Sequence, residues 1–305
     1  MSVTGLSARM RGNLLLLLTA FIWGVAFVAQ KEGGAQVGSL TFNGVRSLIG
    51  GVALLAVLPL LDRLGLTHKP TTTAEKRFLF IGGVCCGLAL FTATNLQQIG
   101  LGYTSVGKGG FITALYIVLV PILGLFLRKK TTLLNWLGVV LAVGGLYLLC
   151  ATGESGVNVG DLLVLICALL FSVQILLVDR FAPHTDGVRL SCIQFFTVGI
   201  LNIPLMFIFE TPSLPAMVDC WGSILYAGVL SSGVAYTLQI VAQQHTHPTT
   251  ASLLMSFESV FAMLAGWVLL GDRLTSVELL GCGLMFAAVV LAQLPTPRWL
   301  QKKGA

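Results

Sequence analysis

The chain has 305 residues, of which 56% are hydrophobic and only 10% charged, with a net charge of +6 at pH 7 and a mean hydropathy of +0.91. Soluble domains carry about 25% charged residues, so this composition excludes a water-soluble core. The surplus cations sit in short loops between apolar runs, which makes them a matter of membrane topology and argues against a nucleic-acid partner.

A membrane helix needs about 20 mostly apolar residues. In chain order, spans are predicted over 13–30, 39–60, 77–99, 104–127, 132–150, 158–178, 188–209, 217–242, 248–270 and 277–294. Lipid offers no partner to a backbone amide or carbonyl, so each span is read as helix. The first has the basic and apolar regions of a signal peptide, but Ala26 is followed two positions later by Val28, so no small-residue cleavage site follows. It is expected to stay as a membrane helix.

Span 1 carries an aromatic stripe at Trp23, with Thr19 and Phe27 one turn to either side. Span 2 holds Arg46, read as pairing with backbone carbonyls or a neighbour. Span 3 contributes Phe91, Thr94, Asn95 and Gln98, and the small-residue pair Gly83-x-x-x-Gly87. In span 4, Lys108 lies near one end, where it either anchors at the interface or offers its charge to a carboxylate cargo. Tyr116 follows, and Pro121 cannot donate to the carbonyl of Ile117, so a kink is expected there.

The second half carries Ser172 and Gln174 in span 6. In span 8, Ser232, Tyr236, Gln239 and Gln243 recur at i, i+4, i+7 and i+11, one face of an α-helix. Glu258 sits in the middle of span 9, too deep to snorkel. A charged carboxylate there costs several kcal/mol unless it faces a wet cavity, holds a proton or meets a cation. It is the candidate for cargo contact or proton coupling, with a helix-to-helix hydrogen bond within the scaffold as the alternative. His245 and His247 occupy the connection before Pro248, which is expected to open span 9. With no carboxylate or Cys nearby they are read as solvated, and no metal site or cofactor is expected.

Fourteen of the eighteen Lys and Arg fall in the terminal segments and alternate loops: Arg9 and Arg11; Arg63, Lys69, Lys76 and Arg77; Arg128-Lys129-Lys130; Arg180 and Arg189; Arg298, Lys302 and Lys303. The intervening loops hold only Lys31 and Arg273. Positive charge stays cytoplasmic, so both termini are expected inside a multi-pass protein of the cell membrane. The longest inner connection, Leu61 to Lys76, is polar and carries Pro70-Thr71-Thr72-Thr73; no separate soluble domain can be placed. The seven Cys form no CxxC pair and are read as small buried apolar side chains, with a Cys150–Cys220 bridge near the outer face as the alternative.

The two halves resemble each other. A shift of 145 places span 3 over span 8, aligning Gly83-x-x-x-Gly87 with Gly228-x-x-x-Ser232, Phe91 with Tyr236 and Gln98 with Gln243. A shift of 143 aligns Thr113 with Ser256 and Gly138 with Gly281, and one of 148 aligns Trp23-Gly24 with Phe171-Ser172. Five spans is an odd number, so the second copy enters the membrane from the opposite side. The expected fold is therefore an all-α integral membrane protein, ten transmembrane helices in two inverted five-helix repeats, 13–150 and 158–294, around a central cavity. The small-residue pairs are read as helix packing.

Several stretches carry a family resemblance. They are Trp23-Gly24-Val25-Ala26-Phe27, Arg46, Leu96-Gln97-Gln98-Ile99-Gly100-Leu101 leading to Tyr103-Thr104-Ser105, Leu119-Val120-Pro121, Ser256-Phe257-Glu258-Ser259-Val260-Phe261, and Leu270-Gly271-Asp272-Arg273-Leu274. The chain resembles the drug/metabolite transporter superfamily in its EamA-type branch, over nearly its whole length. The family pattern around Glu258 reads Leu-Glu-Pro-Val; Phe257 and Ser259 replace the Leu and Pro, so a proline kink is not implied. The resemblance implies a ten-helix transporter of small organic solutes such as amino acids, other metabolites or drugs, often moved outward.

The function expected is secondary transport of such a solute, by alternating access around a site at the repeat interface, with protons as the coupling partner. There is no Walker-type Gly-Lys-Ser/Thr for direct ATP use. An intramembrane enzyme would need a nucleophile with a base, or a metal cluster, at membrane depth; neither His-Glu-x-x-His nor Gly-x-Ser-x-Gly occurs, and His68, His184, His245 and His247 all fall in loops. A non-transporting receptor or scaffold is the alternative.

Overall fold

In the computed structural model, which describes residues 8–104, 106–129, 131–150, 158–270 and 275–293, the first apolar run becomes α1, Ala8–Val37. It overruns the apolar stretch at both ends, because the helix continues through polar residues that hydropathy counts as loop. The turn into α2, Ser39–Arg63, is made at Gly38 with φ +89°. Glycine takes that conformation without strain, and a Cβ there would stand 2.5 Å from the carboxylate carbon of Glu210.

Next come α3, Thr73–Leu101, α4, Val106–Ala114, α5, Tyr116–Phe126, and α6, Leu133–Cys150. The second half begins with α7, Val159–Phe181, and α8, Gly187–Phe209, followed by two short helices, α9, Leu214–Asp219, and α10, Trp221–Leu225. A π-helical segment, Tyr226–Ala235, leads into α11, Tyr236–Gln243. Then come α12, Pro248–Met255, opened by proline as expected, α13, Glu258–Ala265, a π turn at Gly266–Leu270, and α14, Ser276–Gln293. Among the described residues there is no strand. Reciprocal capping boxes start α3 (Thr72 with Glu75) and α7 (Asn158 with Asp161).

Eight helical stretches in the described residues are long and apolar enough to cross a membrane. The two remaining stretches expected to span, in α6 and α14, hold shorter apolar runs, Leu133–Gly145 and Leu279–Ala288. The exterior is apolar, and the interior mixes apolar clusters with many buried polar side chains. Large apolar side chains such as Phe80, Phe126, Phe207 and Val268 point outward, while Thr19, Asn43, Gln174, Gln194 and Asn202 are fully buried or nearly so. In lipid, polar side chains must find partners between helices, and Thr19 Oγ1 donates to the carbonyl of Ala235 at 3.1 Å, binding α1 to the far end of the chain.

Helices α2 and α8 are clamped at both ends. At one end the Glu210 carboxylate accepts from the amides of Leu40 and Thr41 (2.9 and 2.7 Å) and from Thr41 Oγ1 (2.7 Å), capping the α2 N-terminus. A negative charge there also complements the helix dipole. At the other end Arg189 Nη2 meets both carboxylate oxygens of Asp62, at 2.6 and 2.8 Å. Lys69 and Thr67 hold the same carboxylate, and the amide of His68 donates to Asp186 at 2.8 Å. Close glycine contacts seat the helices as packing surfaces: a Cβ on Gly83 or Gly87 would stand 2.5 Å from Ile193 or 2.6 Å from Thr197 of α8.

The fourth span is also interrupted about one and a half turns before Pro121. Pro121 lies inside α5, and the interruption is at Leu115, where the bonds tighten to Leu115 N→Ile112 O and Val118 N→Leu115 O. The ninth span breaks in the matching place without a proline. Ser252, Ser256 and Ser259 each turn their hydroxyl back onto a carbonyl three residues earlier, at 2.9, 2.9 and 2.7 Å. Such back-bonding bends helices, and the ladder is short-stepped across Ser256–Phe257. Cys220 is a free thiol; the Cys150 side chain, needed for the alternative bridge, is outside the described residues. So are Ser105, Lys130, Asp272, Arg273, Arg298, Lys302, Lys303 and the side chain of Arg9.

Candidate functional site

Both span breaks and the π segment open onto one central cavity. Its wall takes Trp23, Phe27 and Gln30 from α1, Arg46 from α2 and Gln97 from α3. Thr113 and Tyr116 flank the break at Leu115. Phe171, Gln174 and Ile175 come from α7, Ser231 from the π segment, Tyr236 and Gln239 from α11, and Glu258 from the start of α13. The space left to water centres is about 30 Å³, room for one or two waters. Trp23 and Tyr236 form an aromatic corner with ring centroids 4.5 Å apart, and Phe195 backs Tyr236 edge-on at 5.3 Å.

Two ionisable side chains of opposite sign share this space. Glu258 is 3% exposed, and its Oε1 accepts a 3.0 Å hydrogen bond from Tyr116 Oη. Arg46 is also 3% exposed, and its Nε donates to Asn43 Oδ1 at 2.8 Å. No ion pair joins the two. Trp23 Nε1, Gln30 Oε1 and Gln239 Oε1 are buried and, among the described residues, unpartnered at the same wall. A buried polar atom left without a partner costs about 1–3 kcal/mol, so the cavity offers one donor and two acceptors to whatever enters.

Of the residues singled out in the sequence, Trp23, Phe27, Arg46, Tyr116, Gln174, Tyr236, Gln239 and Glu258 meet at the cavity. Gln243 and Gln174 belong to one amide chain: Gln174 Nε2 donates to Gln194, Gln239 Nε2 to both Gln174 and Gln243, and Gln243 Nε2 to the carbonyl of Ile175. Gln243 is thus tied into the wall without lining it. Thr94 donates to its own helix at Leu90, Asn95 accepts from Asn43, Gln98 donates to the carbonyl of Gln30 and Ser172 to that of Ala168. Phe91 packs against the main apolar cluster.

Ser232 is displaced from the expected stripe. In an α-helix it would stand one turn before Tyr236 on the same face. The π segment bonds i to i+5, so the residue that comes into line is Ser231, which lines the cavity. Gly228 of this segment packs against α2, where a Cβ would stand 2.9 Å from Ile49.

Lys108 does not line the cavity. Its Nζ is 2.7 Å from Asp161 Oδ2, an ion pair between α4 and the N-terminus of α7. Asp161 is buried and also accepts from Thr104 Oγ1 at 2.9 Å. Helical spacing alone could not reveal a partner 53 positions away. Lys108→Met is expected to lower stability by roughly 1–3 kcal/mol, the cost of leaving a buried carboxylate short of its partner, with solute preference unchanged. Thermal unfolding in detergent measures the first and a flux assay the second. A lost preference for carboxylate solutes at unchanged stability would return Lys108 to the site.

Gln30 was not singled out in the sequence, although it continues the stripe of Trp23 and Phe27 at i+7 from Trp23. Gln97 sits beside Gln98 in the same stretch of α3 and donates to Thr113 at 3.2 Å. Among the described residues no group of three His, Cys, Asp or Glu could hold a metal ion.

Comparison with known proteins places this arrangement. A profile of the EamA-like transporter family matches residues 10–151 and again 158–294. An uncharacterized transporter of Archaeoglobus fulgidus is 32% identical over 287 residues, covering 94% of this chain and 87% of that protein. The uncharacterized inner membrane transporter YedA of Escherichia coli K12 is 25% identical over 279 residues, covering 90% of this chain and 87% of its own. A solved structure, described only as the crystal structure of a protein, superposes with a TM-score of 0.76 at 17% identity, covering 96% of this chain and 99% of that one. That likeness concerns the fold alone.

Proposed function

This chain belongs to the EamA-like transporter family, and from that premise we propose that it is a secondary transporter of small organic solutes working by alternating access about the central cavity. That it is a multi-pass membrane transporter follows from the family and its apolar helices; the cargo, mechanism and coupling are the proposal. The observation that carries it is the cavity itself: a site deep in the bundle, walled by aromatic rings and unpartnered polar atoms, and too small as it stands for an organic solute. Entry of cargo requires the walls to part.

The proposed body is ten spans in two inverted five-helix units. The packing supports this reading. Replacing each span by the one five further on maps neighbours onto neighbours: α3 packs on α7 as the π segment and α11 pack on α1; α4 and α5 pack on α7 as α13 packs on α1. The pairs α2–α8 and α6–α14 map onto themselves. The breaks at Leu115 and Ser256–Phe257 fall at corresponding places, and the family profile matches twice.

In this reading the basic loops and both termini are cytoplasmic and the direction is efflux. Glu258 is the coupling group. It is the only carboxylate among the described lining residues, and it sits at the break of a span, where moving the helix halves changes its surroundings. The test is solute flux in proteoliposomes over amino acids, amines and lipophilic cations, with and without a pH gradient. Saturable flux that responds to the gradient is expected. Folded protein that moves none of these classes saturably would favour the receptor or scaffold alternative.

A further inference from the structure

Arg46 is buried, and its own helix holds the guanidinium by one edge. Its Nε is engaged by Asn43 Oδ1 at 2.8 Å, one turn back. Its Cζ lies over the Phe42 ring, 5.8 Å from the centroid, a placement that favours a cation. Asn43 is itself fixed: its Nδ2 donates to the carbonyl of Thr94 and to Asn95 Oδ1, both at 2.9 Å. With both donors committed to α3, the amide can only turn its oxygen to Arg46. Asn43 is fully buried.

Nη1 and Nη2 make no hydrogen bond within the described residues, and Arg46 lines the cavity. The fork edge of a guanidinium matches a carboxylate in two parallel hydrogen bonds. Glu258 lines the same cavity and does not approach Arg46 closely enough to pair. The fork is therefore oriented and charged, and no acceptor among the described residues occupies it.

We propose that Arg46, oriented by Asn43 and Phe42, is the carboxylate-recognition residue of the cavity, and that the solutes it takes carry a carboxylate. Asn43 is a positioning residue in this scheme. The inference rests on the cavity being the solute site and deepens that reading by naming one chemical group of the cargo. Where the cargo also carries an amine, Glu258 stands in the same cavity to meet it.

The test uses the purified full chain in detergent and reads ligand-induced thermal stabilisation. The probes are the proteinogenic amino acids, their primary amides and their decarboxylated amines. Carboxylate-bearing probes are expected to bind, with each amide at least about tenfold weaker. Arg46→Lys keeps the charge but loses the fork and the Nε bond. Asn43→Leu leaves the arginine in place but unoriented. Each is expected to weaken carboxylate binding about 10- to 100-fold and leave amide binding near its parental level. A merely structural role would lower the melting temperature and affect both probe series alike.

Equal binding of acids and amides by the parent would overturn the proposal. So would an unchanged acid-to-amide ratio in Arg46→Lys, or no carboxylate probe binding at millimolar concentration. Should amines or neutral solutes move saturably in proteoliposomes while carboxylates neither bind nor move, the transport reading stands and the carboxylate subsite falls. Should carboxylates bind while no solute moves, the subsite stands and the transport reading falls.

Discussion

Glu258→Gln is expected to cut gradient-driven flux by about 100-fold while leaving the protein folded. Gln has nearly the same shape and retains an acceptor for the Tyr116 hydroxyl, which donates at 3.0 Å. What it removes is the charge and the capacity to bind and release a proton. A lone carboxylate at this depth costs several kcal/mol in its ionised form, so the neutral amide should not lower the melting temperature. Two assays separate coupling from cargo contact. If Glu258 couples protons, the mutant loses its response to a pH gradient but still exchanges solute down a solute gradient. If it only contacts cargo, affinity falls and the pH response survives at saturating solute. Flux that keeps both its rate and its pH response would place Glu258 in the scaffold.

The second large effect concerns packing. Gly24→Ala is expected to destabilise the protein by about 3 kcal/mol or more, beyond the usual 1–3 kcal/mol of an overpacked site. A Cβ on Gly24 would lie 2.4 Å from Phe261 Cβ, 2.8 Å from the amide nitrogen of Ala262 and 2.8 Å from the carbonyl oxygen of Glu258. Two of these atoms are backbone and cannot rotate aside, so α1 would have to leave α13. In a membrane the helices are held by close van der Waals approach and interhelical hydrogen bonds, which the displacement would remove together. Trp23 and Glu258, on either side of this crossing, would separate as well. Gly144→Ala in α6 is the control, since nothing stands within 4 Å of its added Cβ. The comparison needs only melting temperature and the monodisperse fraction in detergent. A Gly24→Ala protein as stable as the Gly144→Ala control would refute the packing argument.

The apolar spans are legible in the sequence because length and hydropathy are local properties. Glu258, Tyr116, Tyr236, Gln239, Gln174 and Trp23 are legible for a related reason: a polar or amphipathic side chain in an apolar run has to face inward. Features set by through-space partners or by backbone winding are not. Span 8 has an α-helical register in its sequence pattern, and the π segment shifts the lining position from Ser232 to Ser231. Lys108 lies inside an apolar span and could be read as a cargo cation, but Asp161 of another helix pairs with it. Arg46 is more instructive. Phe42 and Asn43 stand at i−4 and i−3, spacings that place side chains against one another on a helix, so the signal for an oriented guanidinium is local. It is masked because a deep arginine reads first as a scaffold element.

The break in span 9 carries a similar lesson. Ser259 replaces the proline of the family pattern, and with it the usual cause of a kink is gone. The helix breaks there all the same, because serine hydroxyls at 252, 256 and 259 bond back to carbonyls three residues earlier. In this chain the interruption is therefore accounted for by serine back-bonding, with no proline at the position.

The hydrogen bond from Thr19 to Ala235 spans 216 positions, and Tyr226 Oη reaches back to the carbonyl of Ile22 across 204. A ribosome adds about 5–20 residues per second, so α1 waits on the order of 10 to 40 s between leaving the ribosome and meeting these partners. During that interval its Thr19 hydroxyl, the Trp23 ring and the notch at Gly24 are without the partners that bury them in the finished protein. The contacts that tie α1 to the second half can therefore form only after those later residues have been synthesised.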